Sequence, residues 1–120
     1  MAKQDYSTFF ESISVTSTTA GAGADVVYTV PTNHDAEVTF CVVTNAGAVK
    51  NISIQVYHED DVTYHYLLRS HAIPGNDAYK LVGQDRLYLH AGDKIVAYKT
   101  GGTFDVTVSG KLFYNPTRNV

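Results

Sequence analysis

The sequence of 120 residues has no tryptophan, one cysteine and three prolines. A single cysteine cannot close a disulfide within the chain, and Cys41 lies in an apolar run where a buried, unreactive thiol is expected. No apolar run is long enough for a signal peptide or a membrane span. These absences exclude a disulfide-stapled scaffold, and we expect a protein that folds in a cytoplasm and works there or is released from it.

Positive charge is scarce and scattered along the chain. Nine Lys and Arg residues stand against twelve Asp and Glu residues, which gives a formal net charge of −3. A protein that holds nucleic acid through its phosphates needs clustered basic side chains. No such cluster occurs, so we expect neither a nucleic-acid partner nor, without an apolar span, a membrane partner.

Patterns typical of catalysis and metal binding are missing as well. There is no His-x-His pair, and His65 and His71 on one strand would lie about 20 Å apart. The acidic turn at residues 58–61 lacks the alternating ligands and the glycine of an EF-hand loop. No serine has the flanking glycines of a nucleophile elbow, and Gly21-Ala-Gly23 lacks the third glycine of a dinucleotide loop. We therefore expect no catalytic residue, no cofactor, no metal and no enzymatic activity.

What the sequence does have is two-residue alternation of apolar and polar side chains. It is clearest at residues 52–57, ISIQVY, and turn-forming residues interrupt it about every ten residues. No long segment has the period of a helix, although residues 78–82 are also compatible with one helical turn. The pattern predicts an all-β fold, an antiparallel two-sheet β-sandwich that is jelly-roll-like, with eight or nine short strands. Residues 1–8 are interpreted as an N-terminal arm, 9–114 as the sandwich and 115–120 as a C-terminal tail.

Two segments of small or turn-forming residues are interpreted as connections. Residues 17–24, STTAGAGA, predict a loose loop, because their side chains can bury little surface. The stretch LYLHAGDKIVAYK at 87–99 predicts two strands joined by Ala91-Gly92-Asp93. Asp93 can accept hydrogen bonds from nearby backbone amides, and this role in the turn accounts for it without catalysis.

Several strands are apolar on both faces. Strict alternation would place Val38, Phe40 and Val42 on one face and Cys41 and Val43 on the other, and residues 95–98 pose the same problem. Each apolar side chain left in water forfeits roughly 1.5–3 kcal/mol. A second cover is therefore expected from the arm, a loop or another subunit, of which we favour another subunit.

Aromatic residues supply the candidate contacts, since nine tyrosines and five phenylalanines are present. Tyrosine suits both half-buried sheet faces and protein interfaces. From their placement on the predicted strands, the candidate interface residues are Tyr6, Phe9, Phe10, Tyr57, Tyr64, Tyr66, Tyr88 and Tyr98.

Two parts of the sequence resemble known families. The pattern L-x-L-x-A-G-D-x-I at 87–95, followed by GGTFDVTVSGKL at 101–112, is similar to the closing strands of tumour-necrosis-factor-like and complement-type globular domains, which are commonly trimers. DVVYTVP at 25–31 and EVTFCVVTNAGAVKNISIQVY at 37–57 more closely resemble small virion proteins of tailed bacteriophages. The motifs together span residues 25–113.

The resemblance implies a non-enzymatic structural protein of a phage particle, above all a capsid decoration (cement) protein. It would be located in the virion, after assembly in the host cytoplasm. Its partners would be further copies of itself, with a trimer favoured, and other virion proteins such as the major capsid protein. A tail, neck or fibre component is the alternative within the particle, and the acidic turn at 58–61 and the tyrosine-rich strand at 64–68 depart from the pattern.

A carbohydrate- or receptor-binding module is the alternative outside that class. β-Sandwiches present loops at their ends and aromatic side chains that suit glycans. The residues that would serve it are His34, Asp35, Asn76, Asp77 and Tyr79.

Overall fold

The computed structural model describes residues 6–82 and 87–115, which form two antiparallel β-sheets packed face to face. The strands are β1 (Tyr6–Val15), β2 (Asp25–Thr29), β3 (His34–Asn45), β4 (Lys50–His58), β5 (Thr63–Ile73), β6 (Asp77–Val82), β7 (Leu87–His90), β8 (Lys94–Lys99) and β9 (Phe104–Tyr114). The predicted β-sandwich is confirmed. Within the described ranges, no helix has the length and apolar character needed to cross a membrane.

The strand order is that of a jelly roll. The first sheet runs β1-β9-β3-β6, and β7 also pairs with β3; the second sheet runs β2-β8-β4-β5. β6 pairs with residues 41–45 of β3 and β7 with residues 35–38, so the two short strands lie end to end along one edge of β3. Counted as one interrupted strand, they complete two facing four-stranded sheets.

The core lies between the sheets and is built from the inward residues of each strand. β4 contributes Ile52, Ile54 and Val56, whose polar neighbours in the sequence face outward, as the alternation predicts. β9 contributes Phe104, Val106 and Val108 from the opposite sheet. Residues 78–82 belong to strand β6, so the alternative of a helical turn there is wrong.

A β-bulge in β3 corrects the predicted faces of that strand. Val38 lies opposite Gly110 and Phe40 opposite Ser109, so Thr39 is an extra residue. After the bulge the alternation changes phase: Val38 and Cys41 are both buried in the core, whereas Phe40 is half-buried on the outer face. Strict alternation predicts that Val38 and Phe40 share a face, and this prediction is wrong because one inserted residue reverses every side chain that follows it.

Gly110 makes this bulge possible. A Cβ atom built on Gly110 would overlap the backbone carbonyl oxygen of Glu37, and it would also press against the Phe9 ring. Only a residue without a side chain lets β3 approach β9 this closely. The glycine that interrupts the alternation of β9 therefore fixes the register of a strand about 70 residues earlier in the chain.

The loop formed by residues 16–24 lies over the outer face of the second sheet. Its Gly21 N–H donates a hydrogen bond to the side-chain oxygen of Gln55 (2.9 Å), and the Ser17 carbonyl accepts one from Lys99 N–H (2.9 Å). Gln55 and Val96 face away from the core, yet they are only 4% and 2% exposed. For this part of the sheet the second cover is a loop of the same chain.

Asp25 holds the base of that loop. Its carboxylate accepts hydrogen bonds from the backbone N–H groups of Thr16 (2.6 Å) and Ser17 (3.0 Å). The bond from Thr16 is the largest of the effects that lower the pKa of this carboxyl. A segment predicted to be loose is thus tied to β2 at its start and to Gln55 at its single 3₁₀ turn, Gly21–Gly23.

The boundaries predicted for the arm and the tail lie at the limits of the described residues. β1 begins at Tyr6 and pairs with β9 from that residue onward, so residues 6–8 belong to the sheet. Residues 1–5 of the predicted arm and 116–120 of the predicted tail lie outside the described residues.

Candidate interaction surfaces

Four of the candidate aromatic residues meet on the outer face of the second sheet. Tyr57 lies opposite Tyr64 across β4 and β5, and their ring centroids are 4.9 Å apart. Tyr66 lies opposite the outward residue Gln55, and Tyr98 lies opposite Ser53. We call these four tyrosines the tyrosine face.

Hydrogen bonds hold half of the tyrosine face in place. The hydroxyls of Tyr66 and Tyr98 are 2.7 Å apart, and Ser53, which accepts a bond from the Ser70 N–H (2.8 Å), also bonds Tyr98. The bond with Tyr98 raises the pKa of Tyr66, whereas the bonds with Ser53 and Tyr66 lower the pKa of Tyr98. Either hydroxyl can donate in the bond between the two tyrosines.

Two cations stand over the rings of the tyrosine face. The Arg69 guanidinium lies 4.7 Å from the centroid of the Tyr66 ring, and the Lys94 ammonium lies 5.3 Å from that of Tyr57. Both distances are within the range of cation–π attraction. The surface therefore combines flat apolar rings with positive charge, in a protein whose net charge is negative.

The outer face of the first sheet carries a second, smaller aromatic surface. Phe10 lies opposite Ser109, which in turn lies opposite Phe40, so the three residues form one row across β1, β9 and β3. Phe10 is 69% exposed, while Phe40 is half-buried. The bulge at Thr39 creates this row, because without it Phe40 would face the core.

Tyr88 lies on the same outer face, at the β7 end of the sheet. It is 65% exposed, and its hydroxyl donates a hydrogen bond to Glu37 Oε2 (2.7 Å). Glu37 is only 4% exposed although it points away from the core. This bond fixes the position of an exposed ring that would otherwise rotate freely.

Phe9 and Tyr6 differ from the other candidates. Phe9 turns inward and stacks on Tyr28 of the facing sheet, with centroids 4.2 Å apart and rings inclined by 7°. Burial, with the nearby charge of Glu11, raises the pKa of Tyr28 to about 12. Tyr6 is paired through its backbone with Phe113, and its side chain lies outside what the structure describes.

The residues considered for glycan binding do not form one site. His34 and Asp35 begin β3, whereas Asn76 and Asp77 adjoin its last residue, Asn45, about 33 Å away along the strand. Tyr79 packs between the sheets, with its ring 4.5 Å from that of His71. Only Asn76 and Asp77 share a recess, an open depression of about 450 Å³ that Thr44 and Asn45 also line.

The acidic turn at residues 58–61 is bonded to its own neighbours. Asp61 Oδ1 accepts a hydrogen bond from the Thr63 hydroxyl (2.5 Å), which lowers the pKa of this carboxyl, and it lies 3.3 Å from His58 Nδ1. His65 Nε2 is 4.0 Å from the other carboxylate oxygen. In the ranges 6–82 and 87–115, no group of three His, Cys, Asp or Glu side chains is placed to hold a metal ion.

Cys41, which carries the single thiol, and Asp93 in the turn after β7 are both buried. Cys41 is buried in the core, and this burial raises the pKa of its thiol to about 12, so the nucleophilic thiolate is suppressed at neutral pH. Asp93 is also buried, and its carboxylate accepts hydrogen bonds from the His90 and Glu59 backbone N–H groups, both at 2.9 Å. The bond to Glu59 joins the turn between β7 and β8 to the turn between β4 and β5.

No protein-family model matches the chain, and no curated protein matches it.

The sequence predicts individual aromatic residues as interface candidates, but it does not show that Tyr66 contacts Tyr98 or that Arg69 lies over the Tyr66 ring. Those contacts depend on which strands are neighbours. The signal available in the sequence is the presence of tyrosines on three predicted strands. These tyrosines come together only because the three strands are neighbours in the order β8-β4-β5.

Proposed function

We propose that this chain is a non-enzymatic structural protein of a bacteriophage particle, a capsid decoration protein that stabilises the head through contacts repeated by symmetry. The observation that carries the proposal is the presence of aromatic side chains on the outer faces of both sheets, among which Tyr66, Tyr98 and Tyr88 are held in position by hydrogen bonds. The interior is packed by the chain's own side chains, so recognition is assigned to the outside of the sandwich.

Preorganisation suits such a role. A side chain immobilised on binding costs roughly 0.5–1.5 kcal/mol of conformational entropy, and Tyr66, Tyr98 and Tyr88 are already bonded within the free chain. Tyrosine and arginine are also the side chains that dominate binding energy at protein interfaces. A modest contact of this kind becomes strong when many copies engage one particle, because avidity multiplies weak contacts.

The place in the particle is proposed from the sequence resemblance. The strand motifs at residues 25–57 and 87–112 resemble small virion proteins of tailed phages, which favours a homo-oligomer that contacts the major capsid protein. A tail, neck or fibre component is the alternative position. The proposal includes no nucleic acid, membrane or cofactor among the partners.

The genes that flank the coding sequence supply the first test, because capsid and portal genes are expected beside it. The second test mixes the purified chain with capsids assembled from the neighbouring major capsid gene and measures co-sedimentation. We expect saturable binding that weakens at least tenfold in a Tyr66→Ala, Arg69→Ala double variant. The matched control is Val49→Ala, since Val49 is an exposed residue of the β3–β4 turn, away from both sheet faces. Flanking genes of unrelated metabolism, or no binding to capsids, would overturn the proposal.

A carbohydrate-binding role is the second candidate, and the depression beside Asn76 and Asp77 favours it. Amide and carboxylate side chains arranged around a recess can hydrogen-bond sugar hydroxyls. A glycan array tests it: dose-dependent binding that Asp77→Ala abolishes and Tyr66→Ala leaves intact would support this role over the first.

A further inference from the structure

β1 is an open edge of the first sheet. Among the described residues it pairs with β9 alone, so one side of the strand presents backbone N–H and C=O groups with no ladder partner. Its register against β9 runs from Tyr6 to Val15 without a shift, so the edge is ten residues long and regular. Such an edge is a template for another β-strand, because backbone groups are obligatory hydrogen-bonding groups.

The other edge strands have the features that discourage pairing. β5 is as long, but its register against β4 shifts twice, and Ser70 within it has a positive φ of 47°. β2 has five residues and a shift between Val26 and Tyr28. β6 and β7 are short, and a shift interrupts β6 as well. Short length and bulges are the usual protections of an edge, and β1 has neither.

The composition of β1 adds to this contrast. Its sequence, YSTFFESISV, has no proline and no lysine, and Glu11 is its one charged residue. Phe10 stands on the outer face of this strand and is 69% exposed. Glu11 lies opposite the core residue Val108 and is the one charge on this edge. The Phe10 ring leaves apolar surface in water, and burying it would be favourable by roughly 1.5–3 kcal/mol.

We infer that two copies of this chain join through β1, antiparallel across a two-fold axis, with Phe10 of one copy opposite Phe10 of the other. The partner is a second copy because a two-fold axis normal to the sheet places two copies of the same strand side by side and antiparallel. The same backbone groups then bond in both directions, and neither copy retains an open β1 edge. The two sheets then form one continuous sheet.

The register follows from two constraints. Residues directly opposite each other must face the same side of the joined sheet, and side chains alternate between the two sides along a strand. A residue can therefore lie opposite itself in the second copy but not opposite its sequence neighbour, so the two-fold axis passes beside a single residue. Overlap of the ten-residue strand is greatest when that residue is Phe10 or Glu11. Glu11 would set two like charges opposite each other, which is destabilising, whereas Phe10 sets an aromatic pair there.

This register also extends the outer aromatic row. Each copy carries Phe10, Ser109 and Phe40 in line across its first sheet. Pairing at Phe10 joins the two rows into one band, in which the most exposed phenylalanine of each copy covers that of the other. Thr8 then lies opposite Ser12 of the second copy.

The inference names the contact through which the proposed symmetric assembly forms, and in that sense it rests on the proposed function. It replaces the trimer implied by the family resemblance with a two-fold contact. The two ideas can nevertheless fail separately, because edge pairing needs only this chain, whereas decoration needs a capsid.

Disulfide trapping of the full-length chain tests the register. Phe10→Cys is oxidised in solution and run on a non-reducing gel; Cβ atoms of directly opposite residues lie about 4.5–5.5 Å apart, near enough for a bridge after a small shift. Ser12→Cys is the matched control, because in this register the two Ser12 positions are about 13 Å apart along the strands. The wild-type chain measures the background from Cys41, which is buried.

We expect a covalent dimer from Phe10→Cys and none from Ser12→Cys or the wild type. An equimolar mixture of Thr8→Cys and Ser12→Cys, which retains Phe10, should form a mixed dimer at least tenfold more readily than either variant alone. If neither Phe10→Cys nor the mixture forms dimers while circular dichroism shows folded protein, the inference is overturned. Light scattering then shows whether the chain associates at all. Oligomers that form without β1 cross-links would contradict only the β1 contact, whereas a monomer would contradict both the β1 contact and the proposed symmetric assembly. Cross-linked dimers that bind no capsid would overturn only the decoration role.

Discussion

Substitution of Gly110 by alanine should destabilise the fold strongly. The new Cβ would overlap the Glu37 carbonyl oxygen, a backbone atom that cannot rotate away, so β3 and β9 would have to separate at the bulge. Overpacking of a tight interior typically costs 1–3 kcal/mol, and an obstacle in the backbone places this case near the upper end, at about 3 kcal/mol.

The expected shift is large enough to measure simply. Unfolding entropy of about 2.1 cal/mol/K per residue gives about 250 cal/mol/K for a chain of this length, so a loss of ~3 kcal/mol lowers the melting temperature by about 12 °C. Thermal and urea unfolding followed by far-ultraviolet circular dichroism will report it. Measurements at several protein concentrations separate folding from association, since pairing of copies also stabilises the folded chain.

Gly47→Ala is the matched control for this experiment. A Cβ on Gly47 would come no closer than 3.5 Å to its nearest neighbour, the backbone nitrogen of Thr103, which is ordinary contact. We expect this variant to unfold within about 1 kcal/mol of the wild type, slightly in favour of the variant because alanine restricts the unfolded chain. A Gly110→Ala protein as stable as Gly47→Ala would refute the bulge, and with it the outward position of Phe40.

Three further predictions concern buried polar groups. Tyr28→Phe should raise the free energy of unfolding by about 1 kcal/mol, because the Tyr28 hydroxyl is buried with no hydrogen-bond partner among the described residues; a loss of stability in urea unfolding would contradict this. The free energy of unfolding should fall as the pH rises from about 9 to 12. Burial raises the native pKa values of the Cys41 thiol and the Tyr28 hydroxyl to about 12. Both groups therefore lose their protons at lower pH in the unfolded chain, and this ionisation favours the unfolded state. A Cys41→Ala, Tyr28→Phe double variant should flatten this alkaline profile, and an unchanged profile would count against it. Asp93→Ala should lower the free energy of unfolding by about 2–3 kcal/mol, because it leaves the backbone N–H groups of His90 and Glu59 without an acceptor. Asp93→Asn keeps one acceptor oxygen and should lower the free energy of unfolding by less. Equal melting temperatures for both variants and the wild type would show that the turn does not depend on this carboxylate.

Local pattern was enough to predict the strands and much of the core. Ile52, Ile54 and Val56 are buried as their alternation predicts, and Ala91-Gly92-Asp93 does form the turn between two strands. These features depend on neighbours two or three residues apart, so the sequence specifies them directly. The candidate tyrosines could be selected on the same basis, as outward residues on strands.

The tertiary structure decided what those local signals could not. The side of the sheet to which Phe40 points depends on the close approach of Gly110, and the burial of Gln55 depends on its contact with the loop at residues 16–24. Alternation has a period of two residues and contains no information about which strand lies alongside, or where one strand has an extra residue. Thus the sequence alone determined that this chain forms two packed sheets, whereas only the folded chain decided which aromatic side chains share a surface, because that depends on contacts between residues far apart in the chain.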